Sequence, residues 1–195
     1  MDRTRTASRI SLERALEPVL TALPAGAVLD VGSKDAPYRR FVTATEYLTL
    51  EVAPGPGVDV VGDVHDIPRP DASFDVVICT EVLEHCHDPQ RAVDEMARVL
   101  RPGGVCVLST RFLYPYHAAP KDYFRFTDDG LRHLLRAFAE VEVTPLGDRL
   151  ESAWMLVPRR GRLWGRLLNL VDPLIASRRP HATKAPTGYL VRAVK

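Results

Sequence analysis

Residues 27–32 read AVLDVG, an apolar run that closes on Asp30, Val31 and Gly32. Such a run predicts a buried strand whose end delivers a carboxylate and a tight turn, the geometry that opens a nucleotide-type pocket. A second strand, predicted over 46–52, carries Tyr47-Leu48-Thr49-Leu50 and closes on Glu51. That acid falls about 20 residues after the first turn, the separation of a ribose-binding carboxylate in a βαβ unit. A short third strand is predicted over 58–61, closed by Gly62-Asp63, and a fourth over 74–79. One strand alone would say little; the ordered series defines a pocket-forming sheet.

The spacing also places helices. Leu12, Ala15, Leu16, Val19, Leu20 and Leu23 share one helical face in an N-terminal segment, 1–26, which Pro18 is expected to kink or split. Pro37 suits the first turn of a helix after the AVLDVG turn. Asp88 can cap a helix with Pro89 in its first turn and a buried stripe of Ala92, Val93, Met96, Val99 and Leu100, stopped by Pro102-Gly103-Gly104. Residues 105–109 form a fifth strand. Thr127 can cap a helix carrying Leu131, Leu134, Leu135 and Phe138, and two more strands are predicted over 141–143 and 189–194. The alternation predicts a parallel sheet covered on both faces, with a closing antiparallel pair.

At 195 residues the chain suits a single domain with its own core. A net charge of +1 argues against a dedicated nucleic-acid surface, which shows a basic excess. Cys79, Cys86 and Cys106 have no CxxC spacing and two lie in apolar runs, so reduced, packed thiols are expected. The opening MDRTRTASRI has no apolar signal core and no run approaches the ~20 residues of a membrane span, which gives a cytoplasmic expectation.

Taken in order, VLDVG at 28–32, LEV at 50–52, GDVHDIP at 62–68, FDVVICTEVLEH at 74–85 and LRPGGVCVLST at 100–110 resemble a class I methyltransferase using S-adenosylmethionine (SAM), of the small-molecule type. FLYPYHAAPKDYFRFT at 112–127 resembles a bacterial branch placed near glycan, lipid or secondary-metabolite pathways. The resemblance implies an α/β fold with a Rossmann-like, seven-stranded, mostly parallel sheet and an antiparallel closing strand. It further implies that Asp30, Gly32 and Ser33 shape the pocket around the methionine part of SAM, that Glu51 takes the ribose hydroxyls, and that Asp63 and Val64 meet the adenine. Cys79 and Thr80 would lie beside the methionine arm. The family's Gly-x-Gly-x-Gly loop reads Gly32-Ser33-Lys34-Asp35-Ala36 here, with only the first glycine present. Lys34 and Asp35 could pair with the two charges of the SAM amino acid, or face solvent and cap the next helix.

SAM brings its own leaving group, so a chain of this kind mainly aligns an acceptor and excludes water. For a hydroxyl acceptor His117 is the first candidate base, with Tyr123 and Arg125 orienting the acceptor and His85 nearby; Asp122 and Arg125 could equally pair to hold their loop. The run Glu84-His85-Cys86-His87-Asp88 has ligand-type residues, but adjacent residues rarely converge on one ion and no zinc spacing is matched, so no metal is expected. Residues 147–187 form an insertion in which Trp154, Leu163, Trp164, Leu167, Leu168 and Leu170 mix with Arg159, Arg160, Arg162 and Arg166. That composition suits a helical lid over the acceptor side or, through 159–179, a peripheral membrane contact. The expected function is methyl transfer to an oxygen or nitrogen of a small metabolite, glycan or lipid-linked intermediate. The alternative is a repurposed fold that binds a ligand or partner without transfer.

Overall fold

The computed structural model of the chain describes residues 6–33, 35–118, 120–158, 162–176 and 184–195. Seven strands form one sheet: β1 (Gly26–Val31), β2 (Ala44–Glu51), β3 (Val60–Val61), β4 (Phe74–Thr80), β5 (Leu100–Arg111), β6 (Glu140–Leu146) and β7 (Gly188–Val194). Their spatial order is β3-β2-β1-β4-β5-β7-β6. The pairs from β3 through β5 are parallel, while β7 runs antiparallel to both β5 and β6. The chain reverses its direction of strand addition between β1 and β4, which opens a crevice at their carboxyl ends.

Strand alternation sends successive side chains to two different cores. Leu29, Val31, Val77, Cys79, Cys106 and Leu108 pack on one face with α2 (Pro89–Val99) and α3 (Asp128–Leu134). Val28, Val76, Ile78, Val105 and Val107 point to the other, where Leu12, Leu16 and Leu20 of α1 (Ala7–Thr21) cover them. All three cysteines are free and buried. Burial pushes the thiols up, Cys86 and Cys106 to about 12, which makes them packing groups rather than nucleophiles.

Several local expectations change. The first helix runs through Pro18 unsplit: the proline removes one rung of the helical ladder, while Leu12, Leu16 and Leu20 anchor the helix to the sheet on both sides of it. The helix expected at Pro37 is a single turn, Arg39–Phe41, since β2 begins at Ala44 and leaves no room for more. The Asp88 cap forms, its side chain accepting from the Arg91 N–H at 3.1 Å, but the helix ends at Val99, before the Pro-Gly-Gly run. Pro102 disfavours helical backbone at Arg101, so the chain is already extended from Leu100. The Thr127 cap is also present, accepting from Gly130 N–H at 3.1 Å.

The 147–187 insertion supplies α4 (Arg149–Met155) and α5 (Arg162–Ile175). Asp148 caps α4, and the buried Glu151 accepts a 2.6 Å hydrogen bond from Ser11 of α1. Met155 and Ala176 pack with Ala7, Ile10 and Tyr114, and Trp154 donates to the buried Asp172 at 2.8 Å. Lys34, Arg159 and Arg160, with residues 177–179, lie outside the described residues, as do the side chains of Arg162, Leu163, Trp164 and Arg166. Among the described residues no helix is long and apolar enough to cross a membrane.

Candidate functional site

A cavity of about 370 Å³ opens at the carboxyl ends of β1, β2 and β4. Its size falls in the range of small-molecule sites, about 300–1,000 Å³. Gly32 forms the turn after β1 with φ of +65°, and a Cβ there would lie 2.3 Å from Val82 Cγ2. Only glycine tolerates both the backbone angle and that approach. The Gly32 N–H donates to the Leu50 carbonyl at 2.8 Å and the Gly62 N–H to that of Glu51 at 2.9 Å, so successive turns are laced along the same edge.

Glu51, Asp63 and Val64 all line this wall. Asp63 accepts from the His65 backbone at 2.9 Å and sits 2.5 Å from His65 Nδ1. Partial burial would raise its pKa, but the His65 contacts outweigh that and hold it below the ordinary value. Asp30 and Ser33 stand behind the wall rather than in it. Tyr47 donates to Asp30 Oδ2 at 2.6 Å, while Asp30 Oδ1 and Ser33 Oγ are buried and lack a partner. Burial, opposed by the Tyr47 hydrogen bond and aided by the charge of Glu51, raises the Asp30 carboxyl to about 7.

The opposite wall begins where β4 ends. Glu81, not Thr80, is the first residue to line the cavity there, and Val82, His85 and His87 continue it. Cys79 is sealed in the core, and Thr80 is not part of the lining. The lining on this side begins one residue past the end of β4, whereas Glu51, the last residue of β2, lines the cavity from within its strand. Glu81 has φ of +59°, a costly conformation for a residue with a Cβ. It accepts from Ser109 at 3.0 Å and pairs with the buried Arg111, whose guanidinium lies 4.3 Å from the Tyr114 ring centroid.

Glu84 organises the region beyond. It is fully buried, and Thr110 of β5 donates to its Oε2 at 2.9 Å. Burial, reinforced by the nearby Glu81, raises its carboxyl to about 8. Its backbone carbonyl accepts from the Tyr123 N–H at 2.9 Å and the Phe124 N–H at 3.4 Å, tying the segment after β5 to the turn after β4. Tyr123 thereby reaches the cavity beside His85. His117 is one ring further out, edge-on to His85 with centroids 5.0 Å apart. Burial and the neighbouring His85 lower its pKa. Asp122 pairs with Arg125 and accepts from the His117 backbone at 3.0 Å. The Arg125 pairing drops the Asp122 carboxyl to about 2, and this pair holds the loop instead of presenting Arg125 to the cavity.

Of the residues expected from sequence, Gly32, Glu51, Asp63, Val64, His85 and Tyr123 meet at one cavity. Asp30, Ser33, Cys79, Thr80 and His117 do not line it. The sequence reading missed Glu81, although the acid-after-strand rule that selects Asp30 and Glu51 applies equally to an acid after ICT. Val82, Glu84 and Arg111 carried no such signal. No lining residue comes from 147–187 among the described residues.

The strand order, the antiparallel seventh strand and a ligand-sized cavity at the β1/β4 switch give a Rossmann-like, seven-stranded fold that solved methyltransferase structures share. A SAM-dependent methyltransferase from Thermotoga maritima superposes with a TM-score of 0.67 over 97% of this chain and 91% of its own, at 19% identity. The [4+2]-cyclase SpnF superposes at 0.61 over 95% and 80%, also at 19% identity, so the architecture alone does not specify the reaction. Residues 40–108, about a third of the chain, match the family described as a methyltransferase domain. The ubiquinone biosynthesis O-methyltransferase of Psychrobacter cryohalolentis is 48% identical over 63 residues, 32% of this chain and 22% of that protein. The malonyl-[acyl-carrier protein] O-methyltransferase of Methylococcus capsulatus is 33% identical over 104 residues, 45% and 38% of the two chains. Matches to such curated relatives take in about a fifth to two fifths of the relatives' length.

Proposed function

We propose that the chain is a SAM-dependent methyltransferase acting on an oxygen or nitrogen of a small acceptor. The observation that carries this reading is the convergence of Gly32, Glu51 and Asp63 on one cavity at the β1/β4 switch. The donor set suits SAM. Glu51 can accept from both ribose hydroxyls, Asp63 from the exocyclic adenine amine, and the Gly32 turn lets backbone approach the ligand. Asp30 Oδ1 and Ser33 Oγ, buried without partners, are the groups expected behind a ligand's polar amino-acid end.

When bound, SAM supplies an activated methyl group together with its leaving group. The chain's part is to hold the acceptor in line and keep water out. His85 and Tyr123 line the same cavity as Gly32 and Glu51, and so would orient the acceptor and take its proton. His117 acts through His85 in this arrangement, not directly on the acceptor.

Membership of a glycan, lipid or secondary-metabolite pathway belongs to the same reading, as does cytoplasmic placement. For a lipid-linked acceptor the relevant surface is α5, where Leu167, Leu170 and Leu174 stand exposed along one side. A cover over the acceptor side is the other role proposed for this insertion, through its packing on Tyr114.

Calorimetric titration with SAM and with its demethylated product tests the cofactor assignment directly. Saturable binding of both, with Asp63→Ala weakening adenosine more than methionine, is the expected result. No binding of either ligand overturns it.

A further inference from the structure

We propose that Glu84, His85 and His117 form a binding site for a divalent transition-metal ion at the acceptor edge of the cavity. Sequence spacing argues against metal in the run 84–88, because neighbours in a chain rarely face one point. The fold supplies what the run lacks. His117, from the segment after β5, brings a third ligand so that donor atoms of all three residues lie within 4.8 Å of one another. Bonds of about 2.0–2.1 Å in a tetrahedral site put ligand atoms about 3.4 Å apart, a gap that rotation of the half-exposed imidazoles closes.

Three features prepare the site. Glu84 is fully buried and uses one carboxylate oxygen on Thr110, while Oε1 has no hydrogen-bond partner. A buried carboxyl oxygen left without a partner in this way calls for one, and a cation that displaces the carboxyl proton supplies it. His85 Nδ1 faces the Lys121 carbonyl, which leaves Nε2 for an ion. His117 Nδ1 lies 3.6 Å from Asp122 Oδ2 and makes no hydrogen bond. A hydrogen-bonded oxygen behind the ring, as His85 has, is the arrangement that orients metal-bound histidines, and a small rotation of His117 would bring Asp122 into the same role. The nearby cations are already answered, Arg111 by Glu81 and Arg125 by Asp122.

Two imidazoles and one carboxylate favour Zn²⁺ or a neighbouring first-row ion over Mg²⁺ or Ca²⁺, with further positions open to water or substrate. His85 lines the cavity, so an open position would face it. Resting on the methyl-transfer reading, such an ion would polarise an acceptor hydroxyl and so replace His85, whose Nε2 it occupies, in easing loss of the hydroxyl proton, which narrows the acceptor class to oxygen nucleophiles. The ion site itself stands without that reading.

The test is Zn²⁺ titration of the chelator-stripped full chain by calorimetry, then Co²⁺ absorption spectroscopy, both without SAM. One Zn²⁺ per chain is expected. His85→Gln and His117→Gln should weaken it more than tenfold, and Asp122→Asn about tenfold, with His133→Gln unchanged. Circular dichroism confirms that each variant is folded, and the half-exposed His117 makes its variant the safest of the three. A Co²⁺ visible band lost in His117→Gln supports the assignment independently. Absence of stoichiometric Zn²⁺ binding, or binding indifferent to both histidine substitutions, overturns it. SAM binding without Zn²⁺ binding would sink this proposal alone, and Zn²⁺ binding without SAM binding would sink the cofactor reading alone.

Discussion

The two walls of the cavity are built on different principles. The wall after β1, β2 and β3 is a set of strand ends, each turning the chain and presenting an acid or a backbone amide within a few residues of its own strand. The wall after β4 and β5 is assembled across distance. The turn at Leu83–His85 and the segment bearing Tyr123 come together because one carbonyl, that of Glu84, accepts from two amides nearly forty positions away. The first wall therefore tolerates little change in backbone but needs few partners. The second depends on contacts between distant segments, with the Glu84 carbonyl at their meeting point.

The strongest way to break this contrast is Gly32→Ala. A left-handed alanine costs about 1 kcal/mol and overpacking against Val82 about 1–3 kcal/mol more, so urea denaturation should show a loss of about 2–4 kcal/mol. Adding Val82→Ala should recover the packing part and leave the backbone part. Full recovery would mean that the turn itself is unstrained.

Next in size is Glu51→Ala, expected to weaken SAM binding by about 1–3 kcal/mol in calorimetry, the cost of losing hydrogen bonds to a charged group. An unchanged affinity would remove Glu51 from the first wall's chemistry.

Asp30 tests the first wall through pH instead of through a contact. Its folded carboxyl titrates at about 7 against an ordinary 3.8, so the native state holds a proton that the unfolded chain has lost across that interval. Stability from this group is complete below about pH 4 and declines as pH rises toward about 7. Denaturation midpoints of Asp30→Asn should decline less over that window than those of the parent chain. Parallel profiles would show that the carboxyl is ionised in the fold.

The smallest expected change marks the second wall. Tyr123→Phe should leave stability within about 0.5 kcal/mol, as for exposed positions, and SAM affinity within about twofold. Turnover should fall once an acceptor is in hand. A clear loss of SAM affinity would mean that the two walls are not separable in this way.

This division also explains which parts the sequence made legible. Asp30, Gly32, Glu51 and Asp63 each come after an apolar run, so periodicity located them and the strand order brought the last three to one cavity. The depth of Asp30 and Ser33 was not legible, because alternation decides which side of a strand faces a ligand and a slip of one residue reverses it. The same slip moved the lining from Thr80 to Glu81. Near the second wall, His117 is outside the cavity lining, its ring edge-on to that of His85, which does line it. Its neighbours come from both loops, and no local pattern encodes a meeting between residues 84 and 123.

The contact between Gly32 and Val82 carries a further consequence for how related sequences can diverge. Val82 occupies the space that a side chain at position 32 would need. The two positions are thus linked in descent: a lineage that replaces the glycine must first, or at once, shrink residue 82, whereas residue 82 can shrink with the glycine in place. Substitutions at the pair should accordingly appear in one order, with a small residue at 82 preceding any side chain at 32.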